Sequence, residues 1–224
     1  MRGHNDDDAS KNKIYNDNDY DLIITIDSPD FNFNLVNKLR KSSIPIVHCY
    51  VVRKKEELKY KFSISPYIDV SQKNNLSQNK QAGARKKPER VEGTLSCELP
   101  KILVKKNDIH ITSKRNFDCF QDTELDMLLK RTLDVKNIII CGVNTDTCVY
   151  GTTFGASNRG YNPIVIECCT GSMRGEDQHK TALKIMSQSI AWVMKKEEIL
   201  NVAQNLFGKV LVTNQTGPEG PEVK

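Results

Sequence analysis

Cys148 stands in the run GVNTDTCVYGTTFGA, where a glycine and a polar turn follow an apolar segment and a helix-like segment comes next. That order puts its sulfur at or near a helix N-terminus. Unpaired amides and the helix dipole there favour the thiolate, the form of cysteine that attacks carbonyl carbons. The turn also offers backbone N–H groups to a developing oxyanion. The competing reading is packing, because free cysteine is among the most buried residue types and usually acts as a small hydrophobe. Partners decide between the two.

Asp27 is one candidate partner. An acid ending a buried strand needs compensation, and service as a general base beside a thiol would supply it; a turn or helix cap at Ser28-Pro29-Asp30 is the simpler alternative. Lys114 lies just past a strand-like region at 108–112, where an ammonium could hold the aspartate and offset charge on a reacting carbonyl, although most lysines are merely solvated. Histidine is poorly placed for a Cys-His pair. His4 lies in a polar tail, His48 and His110 fall within strand patterns, and His179 is explained by helix entry. Cys168 and Cys169 follow a strand and could resolve an oxidised Cys148, but packing as small buried residues is the preferred reading.

No H-x-H, HExxH or CxxC spacing occurs, and no glycine pattern matches a phosphate or dinucleotide loop, so neither a metal nor a cofactor is expected. The net charge of +5 is modest and its basic clusters contain few aromatics, which gives no support to a nucleic-acid partner. The apolar runs are far shorter than the ~20 residues of a membrane-spanning helix, so no membrane partner is expected either. Seven cysteines without framework spacing fit a reducing compartment, and a cytoplasmic location is expected.

The elements that must position these residues alternate along the chain. Residues 21–27 (DLIITID) read as a buried parallel strand carrying Asp27 at its carboxyl end, 32–41 as a short helix, and 46–52 as a second strand. Residues 53–98 form a polar excursion of low order, most marked at 71–90. A strand at 108–112, a helix at 123–133, a strand at 137–141, a helix at 147–159 stopped by Gly160, a strand at 163–167, a helix at 177–189 and an apolar run at 190–194 follow. The fold class expected is α/β, a three-layer α/β/α arrangement with a mostly parallel, roughly six-stranded Rossmann-like sheet. A single domain spans 20–208, between a polar tail at 1–19 and a Gly/Pro-containing tail at 209–224. In such sheets ligands sit beyond the carboxyl ends of the strands, where Asp27, Lys114 and Cys148 all project.

Three segments resemble the isochorismatase-like cysteine hydrolases, and more narrowly their amidase branch, similar to N-carbamoylsarcosine amidase. They are IITIDSPDF from Ile23, ITSKRNFDCFQDTELDMLL from Ile111, and IIICGVNTDTCVYGTTFGASNRGYNPIVIECCTGS from Ile138, the last continued by His179, Ala182-Leu183 and Ala191-Trp192-Val193. The resemblance implies Asp27, Lys114 and Cys148 as the catalytic set, acting on a small-molecule amide or ureido substrate through a thioester. It also implies a cis peptide bond between Val143 and Asn144, an oxyanion hole from amides near Asn144 and Cys148, and homo-oligomerisation. Arg115, Phe117 and Thr147 are the substrate-contact candidates.

Departures from the family pattern bear on the pocket. Pro29 replaces the usual glutamine two residues after the aspartate, the loop that follows is shortened, and the D-x-H metal element of nicotinamidases is absent. These features speak against nicotinamidase activity and bound zinc. They also leave a catalytically weak scaffold or binding protein as the alternative.

Overall fold

The computed structural model describes residues 22–26, 33–41, 44–59 and 90–199. Six strands lie in one sheet in the order β3-β2-β1-β4-β5-β6. They are β1 (Leu22–Ile26), β2 (Ile46–Cys49), β3 (Ile109–Ile111), β4 (Asn137–Val143), β5 (Asn162–Gly171) and β6 (Trp192–Met194). Each neighbouring pair runs parallel. The helices are α1 (Phe33–Arg40), a short α2 (Leu125–Met127) that widens into a π-turn at Leu128–Thr132, α3 (Tyr150–Asn158) and α4 (Glu176–Ser189).

β4 shows why the strands read as unbroken apolar runs. Successive side chains point to opposite faces. Ile138 and Ile140 join one core cluster, with Val149, Ala156, Leu183 and Met186, whereas Ile139 and Cys141 join a second one with Val36, Leu39, Ile164 and Ile166. Helices α3 and α4 thus cover one face and α1 the other. A strand buried on both sides leaves no position for a polar residue, so period-two alternation vanishes from its sequence.

The strand order places the site. From β1 the chain moves outward through α1 to β2 and β3, then returns to β4 on the other side of β1 and moves outward again through β5 and β6. Connections leaving β1 and β4 therefore diverge, which opens a crevice at the carboxyl ends of these two adjacent strands. Asp27 is the next residue in sequence after β1 and lies outside the described residues.

Where the sequence suggested low order over 53–98, the two ends of that stretch are built. Arg53 bridges Val91, donating its N–H to the Arg90 carbonyl (2.7 Å) and accepting the Glu92 N–H (2.9 Å), and short 3-10 turns occupy Lys55–Lys59 and Leu95–Cys97. Polar turns that pair with each other carry no hydrophobic period, so the sequence gives them no signal. Residues 60–89 lie outside the described residues. No described helix is long and apolar enough to cross a membrane.

Candidate active site

Cys148 sits in a π-turn, Thr145–Val149, that joins β4 to α3. The Asn144 carbonyl accepts N–H bonds from both Thr147 and Val149, each 3.1 Å long, which winds the turn tightly around Asn144. The Val143–Asn144 peptide bond is cis, the bond that the sequence resemblance singled out. Cys148 is 9% exposed. The helix expected over 147–159 is therefore two pieces, a π-turn holding the cysteine and then α3.

Lys114 comes from the far side of the sheet. Just past β3, Ser113 bridges Val51 and turns the chain across the carboxyl edge. Residues 117–119 then lie along α3: the Cys119 N–H donates to Thr152 Oγ1 (3.1 Å), and the Thr152 hydroxyl donates to the Phe117 carbonyl (3.3 Å). A Cβ on Gly155 would meet Asp118 Oδ2 at 2.5 Å, so the glycine makes room for the Asp118 carboxylate against α3. The result is a Lys114 that is 3% exposed with Nζ 3.5 Å from Cys148 Sγ. An ammonium at that distance, shielded from water, favours the thiolate over the thiol.

The substrate-contact candidates have other partners. Arg115 makes a two-pronged ion pair with Glu57 (2.8 and 3.1 Å) and donates to the carbonyls of Thr112 and Lys114. Its hydrogen bonds to Glu57 hold that carboxyl below its ordinary value. Arg115 thus braces the backbone that delivers Lys114, and Glu57 is a partner that sequence reading missed inside a polar excursion. Phe117 packs against the core face shared with α3. Thr147 is half-buried, with its N–H turned to Asn144.

Beyond Lys114, the segment after β5 also holds the turn. Asn144 Oδ1 accepts the Met173 N–H (3.0 Å), Thr145 Oγ1 lies 2.8 Å from His179 Nδ1, and Asp146 accepts the Ser172 hydroxyl (2.7 Å) and pairs with Arg174. His179 thus has a role beyond helix entry. The other thiols stand apart: Cys141 and Cys169 belong to the opposite core face from Cys148, and Cys168 Sγ lies 3.9 Å from Cys169 Sγ. Cys168 and Cys169 lie within β5, and with the sheet between them Cys169 is not placed to resolve Cys148.

His48 and His110 also occupy the places their strand patterns suggested. His48 is fully buried and bonds Asp108 through Nε2 (3.0 Å), and His110 lies 3.1 Å from the Tyr50 hydroxyl. Among the described residues no group of three or more His, Cys, Asp or Glu is arranged to hold a metal ion.

Comparison with known proteins gives the same context. The isochorismatase domain model matches residues 32–198, about three-quarters of the chain, a span that includes Lys114 and Cys148 and begins after Asp27. The uncharacterized isochorismatase family protein YecD of Escherichia coli is 33% identical over 95 residues, 42% of this chain and 49% of that protein. YwoC of Bacillus subtilis, named in the same way, is 29% identical over 102 residues, 46% of this chain and 52% of its own length. The chain thus spans about half the length of the curated relatives it matches. Among solved structures, a cysteine hydrolase from Pseudomonas syringae superposes with a TM-score of 0.63 at 18% identity, covering 86% of this chain and 95% of that one. The nicotinamidase/pyrazinamidase PncA of Bacillus subtilis gives 0.59 at 18% identity, covering 78% and 98%. At such identities the superpositions speak to the fold alone. By the extent of the domain match, which takes in five of the six strands and the turn that holds Cys148, this chain belongs to the isochorismatase family.

Proposed function

We propose that the protein is a cysteine-nucleophile hydrolase that cleaves a carbon–nitrogen bond of a small, linear amide or ureido compound, as the amidase branch of its family does. The observation that carries this reading is the buried contact, 3.5 Å long, between Lys114 Nζ and Cys148 Sγ at the carboxyl end of the central strand. A lysine that merely packed there would be costly, because a buried ammonium needs an anionic or polar partner.

Asp27 takes the thiol proton and the sulfur attacks the carbonyl carbon. The oxygen gathers negative charge against amides near Asn144 and Cys148. Carbon–nitrogen cleavage then releases ammonia or an amine, which leaves with the proton held by Asp27. Water attacks the resulting thioester and frees the acid and the thiol. Lys114 orients Asp27 and the carbonyl throughout. No metal or cofactor enters these steps.

The sheet is read as the Rossmann-like, three-layer scaffold of the family, working as a homo-oligomer. All seven cysteines are free thiols, in keeping with the cytoplasm. Ammonia release from a panel of small amides and ureido compounds, abolished in Cys148→Ala, is the expected result. Full turnover in that variant would remove the proposed nucleophile. A panel without turnover, joined to a slowly alkylating Cys148, would favour the weak scaffold that Pro29 and the shortened loop suggest.

A further inference from the structure

The connection from β5 to α4, together with the first turn of α4, holds three successive residues at the nucleophile turn, Asn144, Thr145 and Asp146. Met173 donates to Asn144, His179 meets Thr145, and Ser172 and Arg174 engage Asp146. Of these, the Thr145–His179 contact is the most enclosed. Thr145 is fully buried, and its Oγ1 lies 2.8 Å from Nδ1 of a histidine in the first turn of α4, whose own N–H is bonded to the Gly175 carbonyl (3.2 Å).

We infer that His179, acting through the Thr145 hydroxyl, is a positioning residue that aims the oxyanion-binding amides of the nucleophile turn. The inference rests on the function proposed above. Thr145 is β-branched, so its hydroxyl contact fixes a stiff side chain and, with it, the backbone between Asn144 and the cysteine. The turn is too tightly wound to absorb a rotation there, since the Thr147 and Val149 N–H groups both converge on the Asn144 carbonyl. A change at Thr145 therefore reaches the Cys148 amide. A misaimed donor loses most of its value toward the small, localised charge of an oxyanion.

Two probes separate aim from reactivity. A small aliphatic aldehyde adds to Cys148 as a hemithioacetal: with the thiol proton held by Asp27, the sulfur–carbon bond forms and the carbonyl π pair moves to oxygen, which then carries the negative charge. Iodoacetamide instead undergoes displacement of iodide at a saturated carbon and builds no oxyanion at the reacting atom. We expect Thr145→Val and His179→Leu to weaken aldehyde protection of Cys148 by about ten- to a hundredfold. Their iodoacetamide rate–pH profiles should match wild type. The double variant should be no worse than either single, and His179→Asn, whose amide can take the place of Nδ1, should recover most of the affinity.

Unchanged aldehyde affinity in both single variants would overturn the inference, as would a loss matched step for step by slower alkylation. A reactive wild-type Cys148 that no aldehyde protects would overturn it as well, since no oxyanion site would exist to be aimed. If wild-type Cys148 alkylates slowly at neutral pH whatever stands at Asp27 and Lys114, the proposed function falls and this inference with it.

Discussion

The Lys114 ammonium and the Cys148 sulfur share a volume that water scarcely reaches, with the two residues 3% and 9% exposed. In that setting a charge–sulfur contact is worth more than on the surface, because solvent does not screen it. Lys114→Met keeps most of the volume and removes the charge. It should slow iodoacetamide alkylation of Cys148 at neutral pH by about tenfold. On the proposed mechanism Asp27→Asn should depress turnover further still, since it removes the proposed base. Alkylation that ignores both substitutions would mean that the geometry is present without the chemistry. The sequence named the cysteine and lysine through a family pattern. It gave no sign that Arg115 is held by Glu57, because that pair joins two segments 58 residues apart.

At the level of elements, α3 decides how close the lysine loop comes. It is a helix of small and hydroxylated residues, with Thr152, Thr153, Gly155 and Ala156 all buried, squeezed between the loop and the sheet. Asp118 packs on Gly155; burial raises its carboxyl pKa against the opposing Phe120 amide and Arg159. Gly155→Ala would drive a methyl into that carboxylate and should cost about 2 kcal/mol in urea unfolding, despite alanine's better helix propensity. Adding Asp118→Ala should recover much of the loss, because the clash has then lost one partner. Strictly additive losses would show that Gly155 matters for some other reason. The π-turn before α3 was invisible in the sequence, where an apolar period cannot tell an i→i+4 from an i→i+5 hydrogen bond. Such turns recur at functional sites.

For the molecule as a whole, the end of the sheet opposite the site carries a buried ionic knot. Asp108, just before β3, bonds His48 (3.0 Å), Arg40 at the end of α1 (2.6 Å) and the Lys105 N–H (2.8 Å), while Arg40 also donates to the Leu103 carbonyl. It ties α1, β2 and β3 together. Burial lowers the His48 pKa from 6.5, outweighing the pull of Asp108 in the other direction. Burial opposes the Asp108 charge too, yet its hydrogen bonds from His48 and Arg40 hold it below 3.8.

Between its lowered folded value and 6.5, His48 is protonated in the unfolded chain and neutral in the folded one. Stability therefore falls as pH drops through that window, by at most about 1.4 kcal/mol per pH unit. Asp108 adds a second loss only as pH falls through and below 3.8. Thermal unfolding at pH 5.5 should come below that at pH 7.5, by about 2–4 °C for each kcal/mol. In His48→Gln, which retains a donor toward Asp108, the slope should be shallower by the histidine's share. Equal slopes in the two proteins would place the titrating group elsewhere.

The alternation of strands and helices, the parallel sheet it demands and the approximate bounds of nearly every element were determined by the sequence alone. The reason is that periods of two and 3.6, and the solid apolar runs of strands buried on both faces, are local properties of the chain. Gly160 is such a case: it was legible as the stop of a helix and sits just past α3 at φ +84°, where a Cβ would be strained. What only the tertiary structure decided are the contacts between segments far apart in sequence. It set Lys114 on Cys148, Arg115 on Glu57, His179 on Thr145 and Cys169 on the opposite face of the sheet. Each depends on a strand order that takes the chain outward, back across β1 and outward again. No local pattern encodes where such a path brings two side chains together.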